Sequence, residues 1–277
     1  MCHVCNTVLI VEPLERRLPF LQRHEEKWRK PMPMFERFKW ILLDPSKAIW
    51  DVVHKPTGDG GIFTFFMNVL LFGLVGVVLF NKLDMSQVLV GFGGTPPVPL
   101  HYTDLPLTMA LHGLGMYVMF VVIGMLYFGI LWGFLSIAHG ISSKYTLNIV
   151  PKWREQSAVM AWPFFPSLFA TGLYVAVLAI GLPTRSLGAI DMTGTNALPP
   201  EAIAAIGELF FSARSLSAWI VADVVQIAFY FGYLSILIAI AYRELYDKST
   251  TKALISAIIV GIIGAFVYVL TRSSFFG

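Results

Sequence analysis

Ionisable side chains are scarce inside the long apolar stretches of this 277-residue chain, and Asp223, Gln226 and His112 stand out there. A group of this kind is expensive to keep in a bilayer and is the first place to look for function. Asp223 lies seven residues into its stretch with Gln226 one turn below, and His112 lies seven residues into another. At 1.5 Å per residue, each sits about 10 Å below the end of its helix. If both stretches run the same way, Asp223 and His112 share a depth and can pair. Such a pair can tie two helices together or handle a proton or ion, and the tie is the expected use.

Catalytic constellations fail on counting. Asp223 is the sole carboxylate expected within the membrane, which excludes an aspartyl dyad. His101 and His139 fall at the edges of apolar stretches, so a haem held between two interior histidines lacks its ligands. There is no His-Glu-x-x-His, Gly-x-Ser-x-Gly or P-loop. Cys2 and Cys5 form Cys-His-Val-Cys, which His3 and His24 could in principle complete as a metal site. Reduced or lipid-modified tail cysteines are the simpler reading. The expectation is a protein that is not an enzyme, with no catalytic residue, no metal and no cofactor.

The elements that carry these residues are five apolar stretches: Ile62–Phe80, Leu105–Ile137, Ala158–Leu182, Leu216–Tyr242 and Ala253–Leu270. A spanning helix needs about 20 apolar residues. The fold class expected is all-α, a polytopic bundle of five transmembrane helices. With 56% hydrophobic and 13% charged residues, the composition departs from that of soluble domains. Charged residues break up the first 30 positions, so no signal peptide is expected and the first span acts as the insertion signal. Sixteen of the twenty Lys and Arg residues precede the first span or lie in the loops after the second and fourth. The positive-inside rule therefore puts the N-terminus in the cytoplasm and the C-terminus outside. Those cations fit topology and anionic lipid headgroups, and exclude a nucleic-acid partner.

Residues 1–60 are expected to be a cytoplasmic segment too short and charged to bury a core, followed by a transmembrane domain over 61–277. Phe35, Phe38, Trp40, Ile41, Leu42 and Leu43 mix with Arg37 and Lys39, a pattern of the membrane interface. Asp44-Pro45-Ser46 reads as an N-cap with proline at the first helical position. The helix behind it carries Ile49, Trp50 and Val53 on one side. Two short helices on the membrane surface follow, with Gly58, Gly60 and Gly61 turning the chain into the first span.

Within the spans, Ala253, Ala257, Gly261 and Ala265 line one face as a small-residue seam, with shorter versions at Gly129/Gly133 and Gly172/Ala176. Packing within the monomer is its expected use, and a homodimer is the alternative. Pro163 and Pro166 break the start of the third span. In the loop Thr184–Ser215, residues Pro199 to Ser212 read as an amphipathic surface helix.

Leu43-Asp44-Pro45 with Trp50 and Lys55-Pro56, His139-Gly140 at the end of the second span, and Gln156 leading into Ala161…Pro166 are similar to motifs of the Yip domain family. The likeness runs from about Phe35 to Leu270 and is closest to prokaryotic members. These are five-span membrane proteins with a cytoplasmic N-terminus, named in eukaryotes for interacting with Ypt/Rab GTPases. Their Asp-Leu-Tyr-Gly-Pro and Gly-Tyr elements are absent here, and Ser142-Ser143 replaces paired glycines, which argues against Rab-type GTPase binding. The resemblance implies a fold and a non-enzymatic scaffold or accessory role in a plasma membrane or endomembrane. Membrane lipids and other membrane proteins are the expected partners. A small permease or channel using Asp223, His112, Gln226 and Asn68 is the alternative, against which the scarcity of polar lining counts.

Overall fold

The structure is a computed structural model and describes residues 12–22, 30–55, 59–84, 88–90, 98–99, 106–150, 153, 159, 161–186, 190–191 and 216–276. Its helices are α1 (Pro13–Arg17), α2 (Met34–Leu43), α3 (Pro45–His54), α4 (Asp59–Asn81), α5 (Pro106–Thr146), α6 (Ser167–Gly181), α7 (Ser217–Ile227), α8 (Leu234–Tyr246) and α9 (Thr250–Phe276). Five helical stretches are long and apolar enough to cross a membrane: Gly60–Asn81, Gly113–Thr146, Trp162–Gly181, Ser217–Tyr246 and Thr250–Leu270. The chain is a multi-pass membrane protein with an all-helical membrane domain. The second and fourth spans run several residues further than composition alone indicated, to Thr146 and Tyr246; in the second, His139 and Ser143 continue α5 as buried polar positions.

Two compact units divide the chain. The first comprises Met1–Met67, Phe128–Leu168 and Ile227–Tyr268. Here the sequence-based expectation for residues 1–60 needs correction. Leu21, Phe38, Ile41, Ala48, Ile49 and Val52 are buried with Val159, Trp162 and the α8 residues Leu237, Ile240 and Ala241. The charged segment cannot close a core alone, so it borrows the apolar ends of other elements. Asp44 caps α3 as expected, its carboxylate accepting from the Lys47 amide at 3.4 Å, with Pro45 at the first position. The buried side of α3 is Ala48, Ile49 and Val52, whereas Trp50 sits at the edge, stacked on His54 with ring centroids 4.4 Å apart.

Gly60 and Gly61 do not turn the chain. They lie inside α4, where a Cβ on Gly60 would run into the Trp162 ring and one on Gly61 would come within 2.5 Å of Ala161 Cβ. Phe38 is stacked on Phe165 at 3.9 Å beside that contact. The third-span start expected at Ala158 lies outside the described residues. Pro163 sits in the 3-10 turn Trp162–Phe164 and Pro166 immediately before α6, so the missing amides coincide with the unfinished first turn.

The seam on α9 packs inside this unit. Ala253 and Ala257 are buried with Leu147 and Ala239, and a Cβ on Gly261 would strike the Phe231 carbonyl oxygen. Ala265 is only half-buried, and Gly264 takes the inner place against the Phe231 ring. Between α7 and α8 the fourth span is π-helical over Ala228–Tyr233, a feature the sequence reading did not contain.

The second unit comprises Asn68–Tyr127, Phe169–Gln226 and Val269–Gly277. Its core gathers Val75, Leu79, Tyr174, Leu178, Leu182, Trp219 and Ala222. Phe72 is stacked on Tyr127 and Tyr174, with centroids 5.7 Å and 6.4 Å away. Close helix approach occurs at Gly76, where a Cβ would sit 2.5 Å from the Met116 carbonyl oxygen. The expected seams at Gly129, Gly133 and Gly172 make no such approach, since a Cβ there meets nothing within 4 Å.

The loops after α4 and α6 form short strands: β1 (Leu83–Asp84), β2 (Val88–Val90), β3 (Val98–Pro99), β4 (Arg185–Ser186) and β5 (Ile190–Asp191). β1 pairs with β4 in parallel, and β2 lies between antiparallel β3 and parallel β5. Parallel pairing places the ends of α4 and α6 at the same level, as alternating spans require.

Candidate functional site

In the second unit, Asp223 and Gln226 are both buried on α7, where helical spacing puts them one turn apart. The Tyr127 hydroxyl donates to Gln226 Oε1 at 3.0 Å. Thr171 Oγ1 on α6 donates to Asn68 Oδ1 on α4 at 2.9 Å, both side chains buried. Each of these bonds satisfies polar groups that water cannot reach and so fixes helix registry. His112 falls within α5, but its side chain lies outside the described residues, as do Cys2, Cys5, His3, His24 and the segment Pro199 to Ser212. The pairing expected for His112 and Asp223 therefore lies outside the described residues. Tyr127 and Thr171 are partners the sequence reading missed, because neither residue type is unusual within an apolar helix.

The denser polar constellation is in the first unit, at the junction of α8 and α9. Asp247, with φ of 47°, ends α8 and reverses the chain, and Lys248 N donates to the Arg243 carbonyl at 3.1 Å. That short turn brings the last turn of α8 against the first of α9. Arg243 is buried there, although its sequence position marks it as one of the topology-setting cations. Its guanidinium donates to the Leu21 carbonyl, to Thr250 Oγ1 at 3.2 Å, to Ser46 Oγ at 3.3 Å and to Glu244 Oε1 at 2.5 Å. Glu15 lies 3.6 Å from Arg243 Nη1 and accepts from the Thr250 hydroxyl. A desolvated arginine persists only with such partners on every donor.

Glu12 completes the junction. Its carboxylate accepts from the Thr250 amide at 3.2 Å, the Thr251 amide at 3.2 Å, Ser249 Oγ at 3.1 Å and Thr251 Oγ1 at 3.1 Å. The start of α9 has amides without helical partners and the positive end of a helix dipole, and a carboxylate satisfies both. Burial pushes the Glu12 carboxyl up, but the bonds from Thr251, Ser249 and Thr250 outweigh it and hold it below the ordinary carboxylate value.

A second buried pair locks α2 to α3. Arg37 Nε meets Asp51 Oδ2 at 2.6 Å with both side chains 0% exposed. Arg37 Nη2 donates to the Lys55 carbonyl at 2.7 Å, the Met32 amide donates to Asp51 at 3.1 Å, and the guanidinium lies 5.0 Å from the Trp162 ring centroid. This network, not a cleft, is where the first unit spends its charged side chains. Among the described residues no group of three or more His, Cys, Asp or Glu is placed to hold a metal ion. The constellation can fasten the N-terminal segment to the ends of the third, fourth and fifth spans. No protein-family model, curated protein or solved structure matches this chain.

Proposed function

We propose that this multi-pass protein is a non-enzymatic, Yip-like scaffold or accessory subunit that organises other membrane proteins through its helix faces and its N-terminal platform. The observation that carries this reading is the fastening of residues 12–55 to the span ends through Arg243 and the Arg37–Asp51 pair. A segment held by buried ion pairs presents a fixed surface, whereas a tethering tail has no need of them. Around that platform large apolar side chains stay exposed: Phe35 at 72%, Leu43 at 65%, Tyr145 at 77% and Val150 at 85%. Such side chains next to membrane spans suit lipid and protein contacts.

The experiment is purification of the native protein in a mild detergent or nanodiscs, followed by mass spectrometry. Stoichiometric membrane-protein partners, lost on Phe35→Ser and Leu43→Ser substitution, support the reading. A partner-free protein with ion- or pH-dependent flux in proteoliposomes, abolished by Asp223→Asn, replaces it with a small permease. The buried Asp223 and Gln226, immediately before the π-helical segment, are what that second reading rests on.

A further inference from the structure

Helix α2 is apolar on two sides. Its inner face is Arg37, Phe38 and Ile41, all buried, and its outer face is Phe35, Lys39, Leu42 and Leu43, all exposed. Those four outer residues fall within about 100° of arc on the helix. The protein core accounts for the inner side only, and three large apolar side chains together on the other side call for a second apolar surrounding.

The ring contacts of α2 fix its depth. Phe38 is stacked on Phe165 at 3.9 Å and lies 5.5 Å from Trp162 and 5.8 Å from Phe63. Trp162 and Phe165 open the third span, and Phe63 stands in the first turn of the first. Helix α2 therefore lies at the membrane surface, beside the starts of both spans. Phe35 meets the Phe63 ring edge-on at 6.5 Å. On α4, Phe63 falls within about 60° of Phe66, which is exposed on the span. The outer face of α2 thus runs into a side of the first span that faces lipid.

Two cations gather at one indole beside that face. The Lys47 ammonium lies 4.3 Å and the Lys39 ammonium 5.4 Å from the Trp40 ring centroid. An ammonium over a ring keeps N–H donors for an acceptor on its far side. Glu36 and Asp44 are the carboxylates nearest in sequence, and Asp44 is engaged at the start of α3 by the Lys47 amide.

We infer that the outer face of α2 is immersed in the lipid leaflet, with Phe35, Leu42 and Leu43 against acyl chains and Lys39 and Lys47 on the phosphate of an anionic phospholipid. Tryptophan and lysine suit this depth, the ring at the headgroups and the lysine stem along apolar surface with its ammonium toward phosphate. A partner protein's apolar surface on the same face would strip water from Lys39 without replacing it, whereas a lipid phosphate supplies the acceptor. The inference rests on the reading of residues 12–55 as a fastened platform and names what seats it.

A nitroxide at Leu43→Cys, with Cys2 and Cys5 changed to serine, tests the immersion. The full chain is placed in nanodiscs of phosphatidylcholine and phosphatidylglycerol in equal parts. Oxygen concentrates in lipid and a nickel chelate stays in water, so spin relaxation by each separates the surroundings. The label is expected to favour oxygen several-fold more than the same label at exposed Lys252→Cys. A water-like ratio overturns the inference, and so does exclusion of both reagents, the signature of a second copy or a partner protein. Native mass spectrometry of protein released from these nanodiscs reads the headgroup. The unaltered chain should retain several-fold more phosphatidylglycerol than phosphatidylcholine. Lys39→Gln with Lys47→Gln should remove that excess, while Lys144→Gln with Lys252→Gln, an equal loss of charge, should keep it. Equal retention of the two lipids, or an excess that survives Lys39→Gln with Lys47→Gln or is lost alike in both double variants, overturns the phosphate site. Absence of membrane-protein partners would fail the scaffold reading and leave both readouts in place.

Discussion

Arg37 and Asp51 are both shut off from water, and neither can lose its partner cheaply. Asp51→Ala leaves the Arg37 guanidinium buried without its carboxylate, beside the Lys55 carbonyl and the Trp162 face. The expected loss is about 3–5 kcal/mol, typical of breaking one side of a buried pair. It will be read as a fall in thermal midpoint of the detergent-solubilised protein. Glu12 behaves differently because it is partly open to solvent. Its folded carboxyl ionises below the ordinary range, so its contribution is complete above that range and fades as pH falls through the lower folded value. Hydrogen exchange at the Thr250 and Thr251 amides, corrected for intrinsic rates, should therefore rise on acidification, and Glu12→Gln should raise it at neutral pH. None of this was legible from the sequence. Glu12 lies 239 residues from Thr251, and Arg243 lies 222 from Leu21. Local pattern carries no trace of such pairings, and Arg243 reads as one more loop cation.

Elements were legible where their cause is local. The Asp44–Pro45 start of α3 and the five spans rest on capping chemistry and composition, and both appear, the second and fourth spans running on past their expected ends. The π-helical turn and the strands of two or three residues leave no periodic signature, and small-residue spacing did not tell which glycines touch a neighbour. That difference gives a paired test. Gly261→Val must push α9 off the Phe231 carbonyl and should cost about 1–3 kcal/mol by overpacking. Gly129→Ala, next to open space, should be neutral or stabilise by about 0.5–1 kcal/mol, since alanine restricts the unfolded chain and favours helix. Thermal denaturation of the two variants in the same detergent compares them directly.

For the whole molecule, alternation of five spans puts the α4–α5 loop and the α8–α9 turn on opposite faces of the membrane. We propose from the charge bias that the second of these faces the cytoplasm. With Cys2 and Cys5 changed to serine, a membrane-impermeant maleimide should label Lys82→Cys in intact cells and Lys248→Cys only after permeabilisation. The reverse pattern inverts the orientation while leaving the fold untouched.

The fastening of Glu12 and Glu15 to Ser249 and Thr250 also imposes a schedule on biosynthesis. Glu12 and Glu15 must wait for Ser249 and Thr250, 237 and 235 residues further on, before their carboxylates find those partners, and at 5–20 residues per second that is about 12–50 s. Until the fifth span emerges, Glu12 lacks its hydrogen-bond donors at Ser249, Thr250 and Thr251. Chains that stall before Ser249 never close the junction. The finished clasp thus distinguishes chains that extend through Thr250 from those that stop before Ser249.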